Sequence, residues 1–180
     1  MTRLFIIAAL FCFAVPAALA APPVGQGQGG QSAAPTASEL CKQQRRTIGM
    51  AAFRELYAPA GKPTAAMNAC LAKQVATAST AAKNAAMECK AERGTTADSI
   101  AAFEKTYGMN ENKKNAFGKC VSGKATDAVE AQQDATTNAA KKCKSMRTSD
   151  RAGFDTAYGT KKNAFGKCVS KLAKQQGSSS

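Results

Sequence analysis

Seven cysteines stand in a chain of 180 residues that contains no histidine. Six of them, Cys41, Cys70, Cys89, Cys120, Cys143 and Cys168, are spread along the chain at intervals of 19 to 31 residues. This spacing constrains the fold more than any other feature, because a disulfide needs Cα atoms within about 7 Å of each other. The seventh, Cys12, falls in the opening segment MTRLFIIAALFCFAVPAALA. There Arg3 precedes an apolar run over 4–15, a break at Pro16 and the small-residue ending Ala18-Leu19-Ala20. That is the layout of a signal peptide, expected to span 1–20 with cleavage after Ala20. Its apolar run is too short to cross a bilayer, and Phe11 is too large for the position before a lipid-modified cysteine. The mature chain would then be secreted or extracytoplasmic and keep an even set of six cysteines. Export into an oxidising compartment points to disulfides rather than to buried thiols. Zinc is disfavoured, since the chain has neither histidine nor a C-x-x-C pair.

Residues 21–38, APPVGQGQGGQSAAPTAS, can bury little apolar surface and read as a flexible leader. Residues 177–180 read as a loose tail. The folded part is therefore expected over 39–176. A unit recurs three times within it. Each copy opens on Cys-Lys at Cys41, Cys89 and Cys143, carries Phe and Tyr four apart at Phe53/Tyr57, Phe103/Tyr107 and Phe154/Tyr158, and closes on Cys70, Cys120 or Cys168. The units cover about 39–73, 87–123 and 141–176. Units two and three share the decapeptide KKNAFGKCVS at 113–122 and 161–170, whereas unit one has Met67 and Asn68 where the others have Phe and Gly. A divergent terminal repeat is expected to face solvent.

The composition favours helix throughout: alanine is abundant, runs of β-branched residues are absent, and Gly and Pro fall at joints. Phe and Tyr at i and i+4 share a helical face. Gly108 and Gly159 follow two of the tyrosines as helix-ending residues, Pro59 stops the equivalent helix in unit one, and Thr95 with Asp98 forms a candidate capping box. Two stretches without an internal proline, about 64–93 and 112–147, read as long helices that leave one unit and enter the next. The expected fold class is all-α: three disulfide-stapled helical repeats of about 50 residues joined by long shared helices.

That reading selects among the fifteen pairings open to six cysteines. On continuous helices Cys70 and Cys89 would lie about 28 Å apart and Cys120 and Cys143 about 34 Å apart, too far to bond. The repeat then suggests Cys41–Cys70, Cys89–Cys120 and Cys143–Cys168. Each bridge would tie the incoming helix of a unit to its outgoing helix, and the staples would stand in for a large core in a chain with few aromatic residues.

On a helical wheel the decapeptide places Ala116, Phe117, Cys120 and Val121 on one arc about 140° wide. Phe117, Cys120 and Val121 are expected to pack inward together, as are their copies Phe165, Cys168 and Val169. Gly118 is expected to permit a close helix or loop contact. Lys113, Lys114, Lys161 and Lys162 fall near a helix start, where backbone N–H groups and ammonium groups can attract an anion. With Lys119 and Lys167 they are the candidate anion-binding residues. The three Phe/Tyr pairs could stack on bases or sugars, but at helical spacing they read as core.

Nothing argues for catalysis, a cofactor or a metal. There is no histidine, no phosphate-binding glycine loop after a strand and no cysteine left as a nucleophile. Charge is the remaining pointer. Without Arg3, 24 basic residues face 12 acidic ones, and residues 141–180 alone carry a net +8. Such a surface favours an anionic wall polymer, an anionic lipid surface or extracellular nucleic acid. The repeated Tyr-Gly and Lys-x-Ala-Phe-Gly-Lys-Cys-Val-Ser pattern resembles that of small exported bacterial proteins, often actinobacterial, a group with which no activity is associated. The resemblance covers 89–176 well and 41–73 loosely; it implies export and a repeat and transfers no functional residue. The expected function is that of an exported non-catalytic binding or structural protein of the cell envelope or medium, acting through a basic helical surface centred on 141–174. The alternative is a cationic membrane-active or antibacterial factor, which calls for a wide, bulky apolar helix face.

Overall fold

The computed structural model describes residues 35–177; the expected signal peptide, most of the leader and residues 178–180 lie outside them. Seven helices and no strand occupy the described part. They are α1 (Ala37–Ile48), α2 (Met50–Tyr57), α3 (Pro63–Arg93), α4 (Ala97–Tyr107), α5 (Ala116–Ser149), α6 (Arg151–Tyr158) and α7 (Ala164–Gly177).

Local chemistry sets the ends of these helices. Thr36 caps α1 in a full capping box: its hydroxyl accepts from the Glu39 N–H at 3.2 Å, and its own N–H donates to Glu39 Oε2 at 2.7 Å. Those hydrogen bonds stabilise the Glu39 carboxylate and hold its pKa below the ordinary value. The helix thus begins two residues before the expected boundary. Gly49, at φ 85°, turns the chain sharply between α1 and α2 in a conformation that L side chains rarely adopt. Pro63 opens α3 at a position where its missing N–H is not needed. The cap of α4 is Thr96, whose Oγ1 accepts from the Ser99 N–H, rather than the expected Thr95. Asp150 both ends α5 and caps α6, accepting from the Gly153 N–H at 2.8 Å.

The long helices α3 and α5 have 31 and 34 residues, or about 46 and 51 Å at 1.5 Å per residue. They run antiparallel: Cys89 meets Cys120, Gln74 meets Gln133, and Ala66 shares a core with Ala139 and Ala140. Their facing residues are mostly Ala, Cys and Gln, small or flat enough for the backbones to lie close. The Gln74 amide donates to Gln133 Oε1 at 2.7 Å, and Gln133 Nε2 donates to the Leu40 carbonyl at 3.0 Å. This relay ties α1 to the pair without leaving those buried amides unsatisfied. α5 is the hub, packing against α1, α3, α4, α6 and α7.

The two ends of the α3–α5 pair differ. At the broad end α1, α2, α6 and α7 gather around it, and one core joins Phe53, Phe154 and Phe165 with the Cys41–Cys70 and Cys143–Cys168 bridges. At the narrow end α4 alone crosses the pair, over a small core of Cys89, Phe103, Ala116 and Cys120. All three expected disulfides are present. In each unit the Phe and Tyr rings pack at 4.8 to 5.0 Å between centroids.

Several expectations need correction. Unit one does not form a solvent-facing end: Phe53 is fully buried, and Met67 packs on the core shared with unit three. The unit left by itself is the second. Phe117 is not inside but 36% exposed, against 1% for its copy Phe165, and Val121 is only partly buried where Val169 is buried. Gly118 makes no close contact, since a Cβ placed there would meet nothing within 4 Å. Finally, α5 starts at Ala116 rather than near 112, because Lys113 takes a left-handed φ of 52° that breaks the helix before it.

Candidate anion-binding surface

The six candidate lysines fall into two separate groups. Lys113, Lys114 and Lys119 lie at the narrow end, in the turn before α5 and in its first turns. Lys161, Lys162 and Lys167 lie at the broad end, in the turn before α7 and in its first turns. The α5 segment from Cys120 to Cys143 separates the two groups by about 34 Å of helix. Lys113 is partly buried because its stem lies against Gly108, where a Cβ would come within 2.6 Å of Lys113 Cβ and 2.5 Å of the Glu104 carbonyl oxygen. Only glycine fits that corner. The neighbouring Asn115 side chain accepts from the Met109 N–H at 3.1 Å, so the turn is closed on itself. Lys161, Lys162 and Lys167 are exposed.

A different set of cations is brought together by the fold. An open groove of about 340 Å³ runs between the last turn of α1 and the lower part of α5. Its walls are Thr47 and Ile48 on one side and Ala140, Lys141, Lys144, Ser145 and Thr148 on the other. Positions 141, 144, 145 and 148 follow the i, i+3, i+4, i+7 rule, so they form one stripe along α5. Thr47 Oγ1 donates to the Gln43 carbonyl and Thr148 Oγ1 to the Ser145 carbonyl, each to its own helix. The Lys141 and Lys144 ammonium groups are therefore the groove's charged donors, and neither is in an ion pair among the described residues. No carboxylate lines the groove, and the last turn of α1 also carries Arg45 and Arg46.

Arg147, on the same helix, has a different task. Its Nη1 lies 2.6 Å from Glu55 Oε2 on α2, and its guanidinium lies 5.0 Å from the Phe165 ring centre. It joins units one and three instead of facing outward. The phenylalanines of the three pairs are core, as expected, and their tyrosines pack at its edge, partly buried. Phe53, Phe103 and Phe154 are buried, the Tyr57 hydroxyl donates to Gln44 Oε1 at 2.6 Å, and the Tyr107 hydroxyl donates to Glu92 at 2.8 Å.

The groove lysines belong to the basic 141–174 segment that the sequence singles out, but not to the six individual candidates. Helical spacing could have grouped Lys141 with Lys144. The opposite wall, Thr47 and Ile48, comes from a segment more than 90 residues away and leaves no local signal. Among the described residues no three His, Cys, Asp or Glu side chains gather as a metal site, and no helix is long and apolar enough to cross a membrane. No family model, curated protein or solved structure matches the chain.

Proposed function

We propose that the protein is a non-catalytic binding protein of an oxidising, extracytoplasmic compartment, and that it holds an anionic polymer of the cell envelope or medium against the α1–α5 groove. The observation that carries this reading is the stripe of Lys141 and Lys144 facing α1 across an open channel without a carboxylate in its walls. A polymer suits such a channel better than a small anion. The groove is open to solvent, and Lys142, Lys161, Lys162 and Lys167 add exposed cations elsewhere on the molecule. Three disulfides fit the compartment.

Removing residues 141–180 would not test the idea, since it deletes Cys143 and all of α7 and with them much of the main core. Charge reversal is cleaner. The mature protein is titrated with the isolated anionic wall polymer of the producing cell and with single-stranded DNA at several salt concentrations. The double variant Lys141→Glu, Lys144→Glu is expected to bind about tenfold or more weakly at physiological salt, with a log-log salt slope shallower by about 2. Unchanged affinity and slope in that variant, with the fold intact by circular dichroism, would remove the groove from the binding surface.

A further inference from the structure

Three chemistries meet in the α1–α5 groove, and positive charge is only one of them. Lys141 and Lys144 are its charged donors. Ile48 and Ala140 line it too and are themselves buried, so they form an apolar floor. The third chemistry belongs to the hydroxyls. Thr47 Oγ1 donates to the Gln43 carbonyl at 3.0 Å, and Thr148 Oγ1 donates to the Ser145 carbonyl at 2.9 Å. A hydroxyl has one proton and two lone pairs. With that proton committed to the backbone, both threonines can meet a ligand only as acceptors. Both are exposed, so water donates to them in the free protein. A ligand that displaces this water without replacing its hydrogen bonds loses affinity. Polyphosphate and the phosphodiester backbone of DNA suit the lysines, but they have no proton to give the threonines.

We propose that the ligand of this groove is an anionic polysaccharide, a chain whose sugar rings carry free hydroxyl groups beside their carboxylate, sulfate or phosphate groups. This ligand class rests on the groove being a polymer site. Such a chain answers all three chemistries at once. Its anionic groups lie against Lys141 and Lys144. Its hydroxyls donate to Thr47 Oγ1 and Thr148 Oγ1. The C–H face of a ring covers the Ile48 and Ala140 floor and removes apolar surface from water. Spacing along α5 agrees. Lys144 and Thr148 are four residues apart on one stripe, about 6 Å along the helix axis, close to the repeat of a pyranose chain. A cation and an acceptor therefore address the same ring or its neighbour. Ser145 stands beside them on the stripe, a hydroxyl of the kind that also pairs with sugar hydroxyls.

Titration of the oxidised mature protein at physiological salt tests it with two probes, sodium alginate and inorganic polyphosphate. Alginate carries carboxylates and free hydroxyls; polyphosphate carries charge alone. The double variant Thr47→Val, Thr148→Val keeps the side-chain size at two exposed positions and removes the acceptors. It is expected to bind alginate about tenfold more weakly and polyphosphate unchanged. Lys141→Glu, Lys144→Glu is expected to weaken both probes. Far-UV circular dichroism and the thiol count check that each variant keeps the fold. A wild type that does not bind alginate overturns the polysaccharide class. So does a threonine variant that binds alginate as the wild type does, or that loses alginate and polyphosphate equally. In these cases weakening of polyphosphate by the lysine variant leaves the groove itself standing as an anion site. If the lysine variant weakens neither probe, the groove reading falls and the ligand class with it.

Discussion

Among the described residues Gln44 is the most enclosed polar side chain, with no exposed surface, and only its carbonyl oxygen is satisfied, by the Tyr57 hydroxyl. Tyr57→Phe would leave both ends of that amide unpaired and is expected to cost about 1–2 kcal/mol in urea unfolding. Burial also raises the Tyr57 pKa to about 12. The sign follows from proton binding. The native state holds the phenol proton more tightly than the unfolded state, so this contribution is complete below pH 10 and is lost as pH climbs from 10 toward 12. Wild type is expected to lose on the order of 2 kcal/mol more than Tyr57→Phe across that interval, read as the difference between their urea midpoints. The sequence showed Tyr57 as a core aromatic through its spacing from Phe53. It did not show the Gln44 partner, because a lone glutamine on an amphipathic helix looks like any solvated residue. Phe117 marks the same limit from the other side. A helical wheel tells which residues share an arc, but not whether a neighbouring element covers that arc.

Most of what was legible lay in the helices themselves. Proline at the start of α3, alanine along its length and the shared Phe/Tyr spacing set element type and nearly set the boundaries. Helical rise then excluded Cys70–Cys89 and Cys120–Cys143, and the repeat suggested the three disulfides that are present. The remaining errors sit at joints, where one residue's backbone decides: Thr96 in place of Thr95 as a cap, and Lys113 at positive φ. A glycine inside a long helix is a cost the sequence displays openly. Gly123 lies inside α5 with nothing within 4 Å of a Cβ. Gly123→Ala is therefore expected to stabilise the protein by about 0.5–1 kcal/mol, seen as a rise in Tm.

The arrangement of units was the least legible feature, because a repeat in sequence does not say which copies meet in space. Units one and three share a core across a chain separation of about 100 residues, and unit two is left at the far end. Stability should be uneven as a result. Replacing Cys89 and Cys120 together by Ala opens a bridge spanning 31 residues and is expected to cost about 3–4 kcal/mol in the chain-entropy model. Hydrogen exchange should locate the loss: α4 amides exchange much faster, while α7 keeps its protection because its bridge and core are at the other end. Equal acceleration in α4 and α7 would mean that the two ends unfold as one.

The three bridges follow the order of the chain. Each links a cysteine to the next one along the chain, Cys41 to Cys70, Cys89 to Cys120 and Cys143 to Cys168, so no loop encloses another. A polypeptide emerging amino-terminus first into an oxidant would present its thiols two at a time in the native partnership. Even an indiscriminate oxidase acting in the order of arrival would then produce the correct set, leaving little work for an isomerase.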